Sequence, residues 1–201
     1  MTVDQELQTL RDAEQQLQEA MGWPLALREV EAQTTLATLR ALPRAVWWVA
    51  GPRQRAAAAL RGVRVAHLAS SPMSGHAAYK LAPCAPTAGM RALHAVGLCM
   101  SGARALLSTG PALLAQSGGF QAMNIAALRG LPLTVVMHEP LFDGAPVPAQ
   151  TSRPPEKVCR ALGWKVHLCE AADTDTLEKA VARAVNAKGP QLIVVREAPA
   201  A

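Results

Sequence analysis

Aromatic residues are scarce in this chain: two Phe, one Tyr and four Trp among 201 residues. So few rings give no stacking platform for bases. Arg40, Arg44, Arg53, Arg55, Arg61 and Arg64 stand singly rather than in a block, so the formal charge of +5 describes a scattered basic surface and no nucleic-acid interface is expected. Cysteine is equally sparse. Cys84, Cys99, Cys159 and Cys169 include no C-x-x-C pair, which argues against a zinc site and against a disulfide framework and predicts a reduced, cytoplasmic protein. His67, His76, His94, His138 and His167 have no ligand-like spacing, so no metal site is expected. No apolar run approaches the roughly 20 residues of a membrane span, and the polar, acidic start MTVDQELQTL does not read as a secretory signal. Three fingerprints are missing as well: G-x-G-x-x-G after a strand, G-x-x-x-x-G-K-[ST] and G-x-S-x-G.

What is present is apolar substance. Half of the residues are hydrophobic and 17% are charged, which predicts a folded chain with a real core. Val3, Leu7, Leu10, Leu17 and Met21 mark an amphipathic helix over 3–21, stopped by Gly22 and Pro24. Its narrow stripe suits either its own domain or a partner seam. The expected organisation is this N-terminal helix (1–22) followed by one α/β domain (23–201). Apolar runs at 45–51, 63–70, 103–108, 131–137, 164–170 and 191–197 read as strands. Segments 26–41, 53–61, 88–100, 112–129, 156–162 and 173–188 read as helices, and 71–87 and 138–155 as long loops. Nearly all-apolar strands alternating with helices predict a parallel sheet of about six strands covered on both faces.

In such a fold ligands sit beyond the carboxyl ends of the strands. Three segments fall there: the turn after Gly51, with Pro52; the turn Ser108, Thr109, Gly110, Pro111; and the loop that begins at His138 and Glu139 and contains Gln150. Gly and Pro punctuate ordinary βα connections, but they also clear a backbone for a ligand. His138, Glu139 and Gln150 are the candidate catalytic residues, because they lie on the loop that would face a substrate.

The stretch TAGMRALHAVGLCMSGARALLSTGPALLAQSGGFQAMNIAALRGLPLTVVM (87–137) resembles the pyrimidine-binding domain of thiamine-diphosphate enzymes. VEAQTTLATLRALPRAVWWVAGPR (30–53) is similar to that family's opening helix, strand and Gly-Pro loop, and the segment from 171 to 197 to its closing helix and strand. The resemblance is nearest to two-subunit 2-oxoacid decarboxylases and 2-oxoacid:ferredoxin oxidoreductases. It implies thiamine diphosphate as cofactor, a small-molecule carbonyl substrate, and a hetero-oligomer in which a diphosphate-binding partner subunit holds Mg²⁺. It implies cofactor contacts at Gly51, Pro52, Ala88, Ser108, Thr109, Gly110 and Pro111. Two departures stand out. The family's activating Glu, nine residues before the first glycine of the turn that starts at Gly97, is Ala88 here. The magnesium motif Gly-Asp-Gly is absent, Asp143-Gly144 lacking the leading Gly. The resemblance thus implies a subunit of a split enzyme that cleaves or joins carbon–carbon bonds. A non-catalytic subunit derived from such a domain is the alternative, and a doubly wound domain for another small molecule a third reading.

Overall fold

The computed structural model describes residues 1–22, 26–71, 73–142, 145–146 and 148–198; Pro24, Asp143 and Gly144 lie outside them. The chain begins with α1 (Val3–Met21) and α2 (Glu29–Ala41), then β1 (Trp47–Val49), a 3₁₀ helix (Arg55–Arg61) and α3 (Val65–Ser70). It continues with α4 (Ala88–Met100), β2 (Ala105–Thr109), a 3₁₀ turn (Pro111–Leu113), α5 (Ser117–Leu128) and β3 (Leu133–Glu139). A short antiparallel hairpin, β4 (Leu141–Phe142) and β5 (Ala145–Pro146), is followed by α6 (Pro155–Ala161), β6 (Lys165–Glu170), α7 (Thr174–Ala184) and β7 (Gln191–Arg196).

The main sheet has five parallel strands in the order β1-β2-β3-β7-β6. Both faces are covered, and the strand alternation sorts the core into two layers. Trp48, Leu106, Val136, Ile193 and Val195 pack with Leu10 of α1, Ala32 of α2 and Leu177 of α7. Val49, Leu107, Val135, Met137, Leu192 and Val194 pack with Ala92 of α4, Met123 of α5 and Cys159 of α6. With apolar neighbours on either side, a strand has no polar face, hence its run-like sequence.

Local signals set the helix ends. Thr2 and Gln5 form a capping box on α1, and Gly22 closes it at φ 63°. Leu10, Ala13 and Leu17 are buried against the 3₁₀ helix and α3, so the α1 stripe lies on this chain's own core.

The sheet has five strands where six were expected. The segment 63–70 is not a strand; from Val65 onward it is helix α3. Val65, Leu68 and Ala69 pack on the α1 side of the core, a spacing of three and four that serves a helix as well as alternation serves a strand. The sixth position is filled by a single bridge. Trp48 N–H donates to Lys80 O (2.7 Å) and Ala82 N–H to Trp48 O (2.9 Å), which pairs Leu81 with β1 on its outer side. The 112–129 helix is divided into a 3₁₀ turn and α5, and β3 runs two residues beyond 137, carrying His138 and Glu139 inside the strand rather than in a loop.

Candidate functional site

The carboxyl ends of the strands bring the expected turns together. At the end of β1, Gly51 N–H is held by Gln54 Oε1 (3.1 Å). A Cβ on Gly51 would stand 2.9 Å from that oxygen and 3.8 Å from Ser108 O, so the turns after β1 and β2 lie side by side. Ser108 is buried, its Oγ accepting from Trp48 Nε1 (2.9 Å) across the β1–β2 pair. Gly110 comes next along the edge, where a Cβ would be 3.8 Å from His138 O. Pro111 starts the 3₁₀ turn, and Thr109 Oγ1 donates to Gly110 O (3.3 Å). Gly51, Ser108, Gly110 and His138 thus follow one another along the strand ends with little side chain between them.

Ala88 is the first residue of α4, 8% exposed and packed in the apolar layer under α4 and α5. Its helix is capped by Thr87, whose hydroxyl accepts from Met90 N–H (3.2 Å). Gly89 N–H donates to Gln116 Oε1 (2.7 Å), and a Cβ at Gly89 would come within 2.9 Å of Gly119 N, so α4 starts tight against the start of α5.

The three candidate catalytic residues separate. Glu139 and Gln150 line a cavity of about 380 Å³ together with Pro111, the 148–155 segment, Arg196 and Glu197. His138 points to the other side of the sheet and is not among the lining residues. Its Nε2 lies 3.0 Å from Glu197 Oε1 at an angle that leaves it without a hydrogen bond among the described residues. Burial pushes the imidazole below its ordinary value; Glu197 and Glu31 oppose the shift, and Arg28 and Arg53 add to it.

Sequence reasoning missed the ion network around these residues. Arg28 bonds Glu197 (2.5 Å), which also accepts from Leu141 N–H (3.1 Å), and Arg53 bonds Glu31 (2.6 Å). Burial raises the Glu197 carboxyl, but the bonds from Arg28 and Leu141 and the adjoining positive charge outweigh it and hold the carboxyl below its ordinary range. On the cavity side Arg196 is shared by Glu139 (2.8 Å) and Glu156 (2.9 Å). Arg196 and Glu197 close the last strand at the same edge as Ser108, so strand-end position was the signal that would have found them. Among the described residues no group of three or more His, Cys, Asp or Glu is arranged to hold a metal ion.

Comparison of folds places this architecture. A transketolase from Campylobacter jejuni superposes with a TM-score of 0.69 at 15% identity, over 98% of this chain and 38% of that one. A protein from Mycobacterium smegmatis, assigned as a thiamin diphosphate-dependent enzyme, superposes with a TM-score of 0.56 at 18% identity, over 88% of this chain and 32% of that one. The chain shares its fold with one part of each of these two proteins. This chain spans about a third of the length of each of those enzymes. No protein-family model and no curated protein sequence matches it. Among the described residues no helix of this domain is long and apolar enough to cross a membrane.

Proposed function

We propose that this chain supplies the pyrimidine-binding half of a split thiamine-diphosphate-dependent enzyme that acts on a 2-oxoacid or a related carbonyl compound, and that a partner subunit holds the diphosphate and Mg²⁺. The observation that carries the reading is the pairing of two side-chain-poor turns, Gly51-Pro52 and Ser108–Pro111, at the carboxyl edge of a sheet with this fold. A flat ring fits such an edge, where Gly110 leaves its backbone clear and only the Gln54 side chain stands against Gly51. The cofactor supplies an electron sink for breaking or making a carbon–carbon bond beside a carbonyl.

The chain's own residues orient and enclose. Ser108 is fixed by Trp48 and steadies the β2 turn. Glu139, which lines the cavity, is held in place by Arg196 (2.8 Å). Ala88 neither donates nor accepts a hydrogen bond, so no proton passes through that position. A buried methyl there also favours the second reading, a structural or regulatory subunit that has lost catalysis.

Calorimetry and turnover separate these. With a diphosphate-binding partner, thiamine diphosphate and Mg²⁺ bind and a 2-oxoacid is consumed. Cofactor binding without turnover supports the non-catalytic subunit. Tight binding of thiamine diphosphate and Mg²⁺ by the isolated chain overturns the half-site.

A further inference from the structure

Three arginines are buried with no carboxylate to meet them among the described residues, and two of these, Arg55 and Arg91, leave guanidinium nitrogens without an acceptor. Arg55, the first residue of the 3₁₀ helix after the β1 turn, is 5% exposed, and Arg91, one turn into α4 from Ala88, is 7% exposed. Both lie near enough to Cys84 to feel its charge. The Cys84 thiol sits against Ala50 O and Ala85 O (3.9 and 3.8 Å). Arg91 Nη1 donates to Ala85 O (2.9 Å) and Pro86 O (3.3 Å), while Arg55 Nη2 donates to Ser74 O, beside the Met73 carbonyl that receives Cys84 N–H (2.9 Å).

These bonds use only part of each guanidinium. Arg55 Nε and Nη1 and Arg91 Nε are buried and find no acceptor among the described residues. Among the described residues Cys84 is the ionisable group that acts on either charge, and burial raises its thiol, so it stays neutral and gives neither arginine a counter-ion. Burial correspondingly pushes both guanidinium groups below their ordinary value. An uncompensated buried charge is costly, and an unfilled buried donor adds to the cost. The other buried arginine, Arg61, gives its donors to Tyr79 O, Arg44 O and Val46 O and has no such remainder.

We propose that Arg55 and Arg91 form a binding site for a small oxyanion beneath the loops 73–76 and 84–87. Met73, Pro86 and Thr87 of those loops are exposed, so one layer of chain separates the guanidinium groups from solvent. The forked donors of two arginines match the planar edge of a carboxylate or two oxygens of a phosphate. The site adjoins the Gly51 turn through Ala50 and Ala88 through Arg91, so the anion is either a free ion or the acid group of a small substrate. The inference stands on the two arginines and goes beyond the cofactor reading.

Thermal unfolding of the isolated chain tests it, with inorganic phosphate, pyruvate and chloride compared at equal ionic strength. Phosphate or pyruvate, but not chloride, raises Tm in proportion to the logarithm of its concentration, by about 3–6 °C for each tenfold increase above Kd. A response to phosphate alone identifies a free tetrahedral ion, and a response to pyruvate the acid group of a 2-oxoacid. Arg55→Met and Arg91→Met each weaken the response roughly 10- to 100-fold, the loss of one charge-assisted hydrogen bond. They also raise Tm without anion, because a buried unpaired charge is gone. Arg129→Gln, on the exposed end of α5, leaves the response unchanged. No rise in Tm beyond that with chloride, or an undiminished one in both Met variants, overturns the site. If those variants fail to fold, the Nε–H resonances of Arg55 and Arg91 in the wild-type chain decide: they shift with phosphate or with pyruvate if the site is real, and titrations with both that leave them unmoved overturn it.

Discussion

Ala88 and His138 are the two residues at which this molecule departs most from what its strand ends lead one to expect. Position 88 opens α4 beside the paired turns, and its methyl group is buried among apolar neighbours. A carboxylate introduced there, three residues before Arg91, gains from the helix start and from the guanidinium. If the proposed complex with a diphosphate-binding subunit forms, Ala88→Glu is expected to speed deuterium exchange at the thiazolium carbon of thiamine diphosphate by about 100-fold or more, read by NMR. An unchanged rate would remove position 88 from the cofactor. His138 is held neutral by burial, below an ordinary 6.5, with Glu197, Glu31, Arg28 and Arg53 as its charged neighbours. The unfolded chain takes up that proton more readily. The stabilisation from His138 is therefore complete above about pH 6.5 and is lost as the pH falls from there through the lowered folded value. Urea unfolding of His138→Gln should show a flatter pH dependence than the wild type across that window. Glu197, held below 4.5, adds its own loss only in more acid solution.

The helix pair α4–α5 is set by glycine, and here substitution has opposite signs in the two helices. A Cβ on Gly119 would run into the Leu113 carbonyl, while one on Gly97, at an exposed turn of α4, would touch nothing within 4 Å. Gly119→Ala is expected to lower the unfolding free energy by about 1–3 kcal/mol and Gly97→Ala to raise it by about 0.5–1 kcal/mol, both read from urea midpoints. Elements of this kind explain what the sequence reveals. Strands β2, β3 and β7 and helices α4 and α7 are legible because each is long enough for run or period to speak. The segment VRVAHLAS is eight residues long, short enough for alternation and a three-four spacing to coexist, and packing against α1 decides for the helix. The turn glycines were legible because a bare backbone is a local property. The network of Arg28, Glu31, Arg53 and Glu197 was not, since its members lie up to 169 positions apart and meet only after the sheet is built.

For the whole molecule, the four cysteines serve as internal reporters. Cys169 lies in the core layer beneath α1, α2 and α7, and Cys99 and Cys159 in the layer beneath α4, α5 and α6. Burial raises the thiols of Cys99 to about 11 and Cys159 to about 12. Alkylation should therefore await opening of the core, and if the sheet unfolds as one unit, mass spectrometry will find these three thiols labelled at the same urea concentration. Earlier labelling of Cys169 would mean that the two layers open separately. The sheet's outer margins bear on assembly in a further way. On the β1 side the Leu81 bridge occupies the backbone groups that another chain would need, and His76 locks that bridge by exchanging hydrogen bonds with Leu81 (2.8 and 3.1 Å). Strand addition from outside is left the β6 margin, at the far end of the sheet from Gly51 and Ala88. The partner subunit proposed above would therefore arrive end-on, through loops and helix starts, and its grip on this chain would be made of side chains rather than of shared sheet.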